Sequence, residues 1–394
     1  MTLKLLRSSK LFHRCFSLFV LLVAVIHSGV LAADSAQRKT SLLYVATYSP
    51  KEGEGILVAT FDCQTGAIGT LRPTGGLQTT ATLVLHPRGN WLYATTQGRD
   101  SNGKPTGAVA AFSVDATTGE LKEIDRRLSG GTGPCYLAVD GEGRCLVVAN
   151  CGTATVACLK LRPDGRFGDS STIIPHEGTS QNSEGKPQAH SILIAPNNRF
   201  AIAADLGLDR VFVYRLEADH ARLTPSNPPF VPVPRGAGPR HVAFHPGGRF
   251  AYSVNELDNT VTAFSFQGET GVLQAIDNVT TLPDDFRGES YAAEIQVDSA
   301  GRFLYASNRG HESLAMYSID PQTGRLSRIR HASSGGKFPR HFTLDTAGQF
   351  LVVANQKSDQ LAVFRVDPDT GRLKTHGEPF TVPLPVCVRI LKCP

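Results

Sequence analysis

Apolar and polar residues alternate along most of this chain in runs of about five to eight, the period of half-buried strands, and the runs are punctuated by glycine turns. One unit recurs. A short strand runs into a turn, as in His241-Val242-Ala243-Phe244-His245-Pro246-Gly247-Gly248-Arg249, Glu294 to Arg302 and His341 to Gln349. Glycine supplies the turn because it takes positive φ at no steric cost. A second strand follows, as in Phe250 to Val254, Phe303 to Ser307 and Phe350 to Ala354. A third, such as Val261 to Phe266 or Leu314 to Ile319, ends in a turn of the type Asp320-Pro321-Gln322-Thr323-Gly324-Arg325-Leu326.

The register between the first two strands is constant. Nine residues beyond Pro87, Gly141, Pro196, Pro246, Ser299 and Thr346 stand Thr96, Asn150, Asp205, Asn255, Asn308 and Asn355. The unit is roughly 50 residues, a length that belongs to propeller blades and not to helical repeats. First strands begin at Leu83, Tyr136, Ser191, His241, Glu294, His341 and Val386. The N-terminal segment, Leu42 to Thr47 and Ile56 to Phe61, lacks a first strand, and Pro385 to Leu391 has nothing after it. Together they make one blade. The expectation is an all-β, seven-bladed β-propeller over residues 40–394, closed by pairing the C-terminal strand with the N-terminal blade, since closure hides sheet edges.

In such a blade the innermost strand runs along the central channel and the next returns, so residues just before the first strand and just after the second share one face. Ahead of the first strands lie Cys135/Tyr136, His190/Ser191, Arg240/His241, Ala293/Glu294 and Arg340/His341. After the shared Asn, Asp or Thr come Gln97, Cys151, Leu206, Glu256, Arg309 and Gln356. The shared Asn bonds its own loop and is scaffold, whereas its neighbours vary round the ring, which marks them for chemistry. Arginine holds carboxylate or phosphate and stabilises a developing oxyanion; a carboxylate or imidazole beside it can orient or deprotonate water. The competing reading is a structural salt-bridge ring in which Glu256 and Glu294 neutralise Arg240, Arg309 and Arg340.

Residues 1–32 stand apart. Lys4, Arg7, Lys10 and Arg14 precede an apolar stretch from Phe16 to Leu31, with small residues at Val30-Leu31-Ala32, the pattern of a secretory signal peptide. The stretch is interrupted by Ser17, His27, Ser28 and Gly29 and is short for a membrane span. The expectation is an exported protein, periplasmic or extracellular, with no stable membrane insertion once the leader is removed. Losing those four cations takes the formal charge from +5 to +1, so the basic balance is a leader effect. No Lys/Arg run remains that would track a phosphate backbone, which argues against nucleic acid.

Seven of the eight cysteines lie beyond the leader, none in a Cys-x-x-Cys zinc pair, and they read as small buried hydrophobes with one or two bridges. Cys135 and Cys151 project from one blade to the same face, as a disulfide or as buried thiols. No Gly-x-Ser-x-Gly elbow occurs, so Ser191 beside His190 is not read as a nucleophile. His176-Glu177 and His311-Glu312 lack the second histidine of a zincin. No cofactor or metal is expected.

The order of Gln188-Ala189-His190-Ser191, Asp205-Leu206-Gly207, Gly238-Pro239-Arg240-His241, Asn255-Glu256-Leu257, Ala292-Ala293-Glu294-Ile295, Ser307-Asn308-Arg309-Gly310-His311, Pro339-Arg340-His341-Phe342 and Asn355-Gln356 resembles the seven-bladed lactonase family. That family includes bacterial 6-phosphogluconolactonase of the propeller type and the fungal carboxy-muconate lactonising enzyme. The resemblance implies a metal-independent site at the channel mouth with His190, Arg240, Glu256 and Arg309 as catalytic residues. His241, Glu294, His311, Arg340, His341 and Gln356 are the expected substrate contacts. The chain departs from the family pattern at Thr80-Ala81-Thr82 and at Thr96-Gln97. The implied activity is hydrolysis of an anionic sugar lactone. A cycloisomerase of the muconate type and a non-catalytic propeller binding a small acid or a protein are the alternatives.

Overall fold

A computed structural model describes residues 40–179 and 185–392. Its strands form seven antiparallel sheets. Blade 1 joins the strand Pro385–Ile390 to Thr40–Thr47, Ile56–Asp62 and Arg72–Pro73. Blades 2 to 7 then follow in chain order as residues 83–128, 134–175, 189–232, 239–280, 291–333 and 339–381. The first strands of successive blades touch their neighbours all round, and Pro385–Ile390 touches both Pro339–Leu344 and Leu83–Leu85, which closes the ring. Among the described residues no helix is long and apolar enough to cross a membrane. The expected leader lies outside the described residues.

Closure pairs Leu43 with Ile390, Val45 with Val388 and Ala46 with Cys387. This register corrects one sequence assignment: Cys387, and not Val386, occupies the place that His241 takes opposite Val254 in blade 5. An irregularity between Ala46 and Thr47 hides that offset from a residue count.

Each second strand is buried along its whole length in blades 3, 4, 5 and 7, because both of its faces meet neighbouring blades. Seven apolar clusters fill the spaces between blades. Two recurring devices lock one blade to the next. Tyr44, Tyr93, Tyr252 and Tyr305 each donate a phenolic hydrogen bond to the carbonyl of a turn glycine in the adjoining blade, at 2.9–3.1 Å. Three of these turn glycines lie against aromatic rings: a Cβ on Gly165 would stand 2.3 Å from Trp91, one on Gly324 2.4 Å from Phe250 and one on Gly371 2.5 Å from Phe303, while Gly119 meets Leu42 and Val58 instead. In those blades the aromatic at the start of strand two and the glycine in the far turn pack together.

The shared asparagines behave as scaffold. Asn308 Nδ2 donates to Thr281 O at 2.7 Å and Ser313 Oγ at 3.1 Å, while its Oδ1 accepts from Thr281 Oγ1 at 2.7 Å. Asn150 and Asn355 reach the equivalent carbonyls of Ser129 and Ser334. In blade 4 Asp205 takes the position and accepts from His176 Nδ1 at 2.6 Å, with His176 Nε2 against Tyr214 Oη at 2.8 Å.

Gly324 and Gly103 separate backbone strain from steric contact, since both have positive φ but nothing lies within 4 Å of a Cβ on Gly103. Gly103→Ala is expected to cost about 1 kcal/mol for the left-handed backbone alone, and Gly324→Ala about 2–3 kcal/mol once displacement of the Phe250 ring is added. Urea unfolding midpoints of the two variants measure the difference.

Candidate active site

The residues ahead of the first strands owe their direction to a repeated β-bulge. The ladder steps from Pro239–Asn255 to His241–Val254, leaving Arg240 as the extra residue. The same step leaves out Cys135, His190 and Arg340 in blades 3, 4 and 7. A bulge frees one residue from the ladder and re-aims its side chain. Here it turns His190, Arg240, Arg340 and Cys135 into one cavity, also lined by Ala81, Thr82, Tyr136, His241, His341 and Val386.

Arg240 is the most enclosed of these groups. Its side chain is only 2 % exposed, and its Nη1 donates to Ala293 O at 2.7 Å and faces His241 Nε2 at 3.1 Å. Glu256, at the end of the second strand of the same blade, is 19 % exposed and places Oε2 2.8 Å from Arg240 Nε and 2.8 Å from Arg309 Nη2. The Arg240 Nε contact is an ion pair out of line for a hydrogen bond. Arg309 is held by Tyr291 O at 3.1 Å and Ala292 O at 3.3 Å, and its guanidinium lies over the Phe338 ring. Burial and then the Arg309 charge push Arg240 down to about 9, which leaves it a cation at neutral pH.

Arg240 Nη1 can only donate, so His241 Nε2 accepts and its Nδ1 carries the proton. That proton points at Glu294 Oε2, 2.7 Å away, while Gln296 Nε2 donates to Glu294 Oε1 at 3.2 Å. His341 Nε2 lies 3.7 Å from the same carboxylate oxygen. Both Glu294 oxygens thus accept, which favours the ionised form. Burial opposes this and prevails over the lowering pull of Arg389, lifting Glu294 to about 7.

His190 is different in kind. Its ring keeps some exposure, its Nδ1 is enclosed without a hydrogen-bond partner, and it lies 5.3 Å from the His241 ring, centroid to centroid. Burial first, and then Arg240, Arg340 and Arg309, hold its pKa well below the usual histidine range. It is a neutral imidazole at pH 7. The Cys135 and Cys151 thiols are free and hydrogen-bond one another, which raises Cys135 and lowers Cys151 to about 7. Cys63 is disulfide-bonded, and the other five described cysteines are free.

The structure therefore brings together His190, Arg240, Glu256, Arg309, His241, Glu294, Arg340 and His341. It does not bring in His311. Gly310, with φ of +98° and no space for a Cβ beside Glu289 O, turns the chain away, and His311 bonds Ser313 Oγ at 2.6 Å and packs on Phe286. Gln356 opens a 3-10 turn, its Oε1 buried without a partner, and no contact among the described residues ties it to the cluster. His241 and His341, expected as substrate contacts, both belong to the cluster. Residues the sequence reading passed over are Gln296 and Arg389, which bonds Tyr136 and donates from Nε to Leu83 O at 3.0 Å. Each follows a channel-facing residue by two, and an amide or cation at period two on an innermost strand was the available signal. Among the described residues no group of three or more His, Cys, Asp or Glu could hold a metal ion.

The raised Glu294 gives a pH signature. The folded carboxyl keeps its proton up to about 7 whereas the unfolded chain releases it near 4.5, so the folded state binds more protons between those values and loses stability as pH rises through them. Its neighbours His241, His341, Arg240 and Arg389 stay in place in Glu294→Gln. Relative to that variant, the wild type is expected to lose about 3 kcal/mol between pH 4.5 and 7, read from urea unfolding of both proteins across that range.

A family model described as lactonase, 7-bladed β-propeller, matches residues 42–390. A 6-phosphogluconolactonase of Bacillus subtilis is 32% identical over 300 residues, covering 76% of this chain and 83% of its own. The structure of a periplasmic gluconolactonase of Pseudomonas aeruginosa superposes with a TM-score of 0.82 at 32% identity, covering 90% of this chain and 100% of that one. A putative 6-phosphogluconolactonase of Bacteroides fragilis superposes with a TM-score of 0.80 at 27% identity, covering 90% and 98%. This chain belongs to the seven-bladed β-propeller lactonase family.

Proposed function

We propose that this protein hydrolyses a sugar lactone at the channel mouth, with arginines in place of a metal ion polarising the ester. One observation carries the reading: Arg240, whose Nε lies 2.8 Å from the Glu256 Oε2 that also meets Arg309 at 2.8 Å, shares a cavity with a neutral His190 whose Nδ1 has no hydrogen-bond partner. The carboxylate is committed to two cations, so it orients them. The imidazole is uncommitted, so it is the base. In the reaction His190 takes a proton from water as the oxygen attacks the lactone carbonyl carbon. The oxyanion forms against Arg240 and Arg340, the ring carbon–oxygen bond breaks, and the departing alkoxide takes its proton back from His190. The product acid ionises and releases one proton to solvent. The names of the relatives and the geometry together support this chemistry, and the arginines answer the negative charge of the intermediate and of the carboxylate product.

Residues 1–32 and the relative described as periplasmic support export of the protein, which would place its substrate outside the cytoplasm.

Proton release from glucono-1,5-lactone and 6-phosphogluconolactone, followed with a pH indicator, tests the reading. Arg240→Ala is expected to lower kcat/KM by about 10²–10³, and His190→Gln by about 10²–10⁴. Because burial first, and then the neighbouring cations, keep His190 neutral, the acid limb of the wild-type profile is expected below 6.5, and Arg340→Ala moves it to higher pH. No release above the spontaneous rate with these two lactones and with a disaccharide aldonolactone, or full activity in His190→Gln, would defeat the proposal.

A further inference from the structure

The cavity where His190, Arg240 and Arg340 meet is about 20 Å³. An enclosed water needs about 10–15 Å³, so this slot admits one water or one carbonyl oxygen and no sugar ring. The lactone ring must lie outside it, over the mouth. Beside the slot, between blades 1, 2 and 3, is an open groove of about 330 Å³. Ala81 lines both, so the slot and the groove adjoin.

The groove has a distinct chemistry. The Tyr48 ring forms one wall, Thr96, Gln97, Thr106 and Thr132 supply hydroxyl and amide groups, and no Lys, Arg, Asp or Glu lines it. Arg340 lies over the Tyr48 ring at 5.5 Å and so marks the junction between slot and groove. A volume of this size is in the range of sites that enclose a small ligand, roughly 300–1,000 Å³. A pyranose with the bulk of about six waters, at about 30 Å³ each, would fill about half of it. An aromatic face with uncharged donors and acceptors suits a sugar, whose ring carbons pack on the aromatic while its hydroxyls bond the rim. A phosphate dianion in the body of the groove would lose water and find no cation on its lining, since Arg340 stands only at the junction with the slot. Arg240 and Arg309 are already engaged by Glu256.

From this we infer that the groove is a subsite for an uncharged glycosyl unit attached to the lactone ring, making the substrate class an aldonolactone extended by a neutral sugar. The inference rests on the lactonase reading and narrows its substrate. The chemistry is the same hydrolysis: water adds to the carbonyl carbon, the ring ester bond breaks, and the glycosidic bond in the groove stays intact. Such a substrate arises by two-electron oxidation of the reducing-end hemiacetal of an oligosaccharide. An oxidoreductase acting on sugar reducing ends is therefore the class of reaction that supplies it.

The full chain is assayed for proton release with cellobiono-1,5-lactone, glucono-1,5-lactone and 6-phosphogluconolactone. The expected result is a kcat/KM for the cellobiono-lactone at least tenfold above either monosaccharide lactone. Gln97 is exposed at a strand end, so Gln97→Trp fills the groove without disturbing the core. In that variant the ratio of cellobiono-lactone to glucono-lactone kcat/KM is expected to fall at least tenfold. A preference for either monosaccharide lactone in the wild type, or a ratio untouched by Gln97→Trp, overturns the subsite while leaving the lactonase reading intact. Failure to hydrolyse any of the three removes both. The wild-type ranking stands as a test without any substitution.

Discussion

The closure of the ring depends on one strand pairing, Pro385–Ile390 against Thr40–Thr47. Without it the first blade has no innermost strand, the neighbouring first strands lose a contact on each side, and two sheet edges lie open to solvent. The pairing also delivers Cys387 and Arg389 into the channel, opposite Tyr136 and the His341–Glu294 pair. Closure and site construction are thus one event: the strand that ends the chain completes both the last sheet edge and the polar lining.

Given a closed ring, the site follows from a local irregularity repeated around it. Five first strands each omit one residue from the ladder, and the omitted residues are Cys135, His190, Arg240, Arg340 and Val386. Burying Arg240 is costly, because a guanidinium taken out of water must recover its hydration from protein groups. The recovery is assembled from the strand ends of two blades: Glu256 from its own blade, and Ala293 O and, through His241, Glu294 from the next, whose Arg309 shares the Glu256 carboxylate. Of the salt-bridge ring foreseen as a competing reading, the Glu256 part is present and holds Arg240 and Arg309 in position, whereas Glu294 pairs with His241 and His341. A structural role of this kind is compatible with the proposed catalytic one, because a charge must be fixed before it can stabilise another. What distinguishes a site from a scaffold here is His190, which the network surrounds but leaves without a partner at Nδ1.

Much of this was legible in the sequence, for identifiable reasons. The nine-residue spacing to Asn150, Asn255, Asn308 and Asn355 reflects a hairpin whose turn and cap are both backbone-determined, so it survives in every blade. The convergence of Arg240, Glu256, Arg309 and His190 followed from topology alone, since an out-and-back pair returns to the face it left. What topology does not encode is direction after the strand ends. His311 follows Arg309 by two residues but is carried off by the left-handed Gly310. Gln356 shares a repeat position with Glu256, yet enters a 3-10 turn instead of reaching the cluster. Arg389 and Gln296 went unnoticed because a channel strand buried on both faces reads as apolar, and a single polar residue in it looks like noise until the register is known. The one-residue error at Val386 came from counting the bulged residue as the first of the strand, where in blades 3, 4, 5 and 7 the bulged residue stands just ahead of it.

The two departures from the family pattern, at Thr80-Ala81-Thr82 and Thr96-Gln97, fall in the same place in space. Thr95 Oγ1 accepts from the backbone N–H groups of Ala81 and Thr82 at 3.1 Å each, so strand two of blade 2 holds the start of its strand one. Small side chains at Ala81 and Thr96 leave the wall between slot and groove low, and Gln97 stands where Glu256 stands in blade 5 with an amide in place of a carboxylate. One blade has thus given up charge and bulk at the repeat positions that elsewhere build the cation cluster. The ring symmetry supplies equivalent positions in every blade, and neighbouring blades fill them differently: cations and imidazoles from blade 4 to blade 7, where the proposed reading puts the reacting ester, and hydroxyls and an amide at blades 2 and 3, where it puts what the ester is attached to.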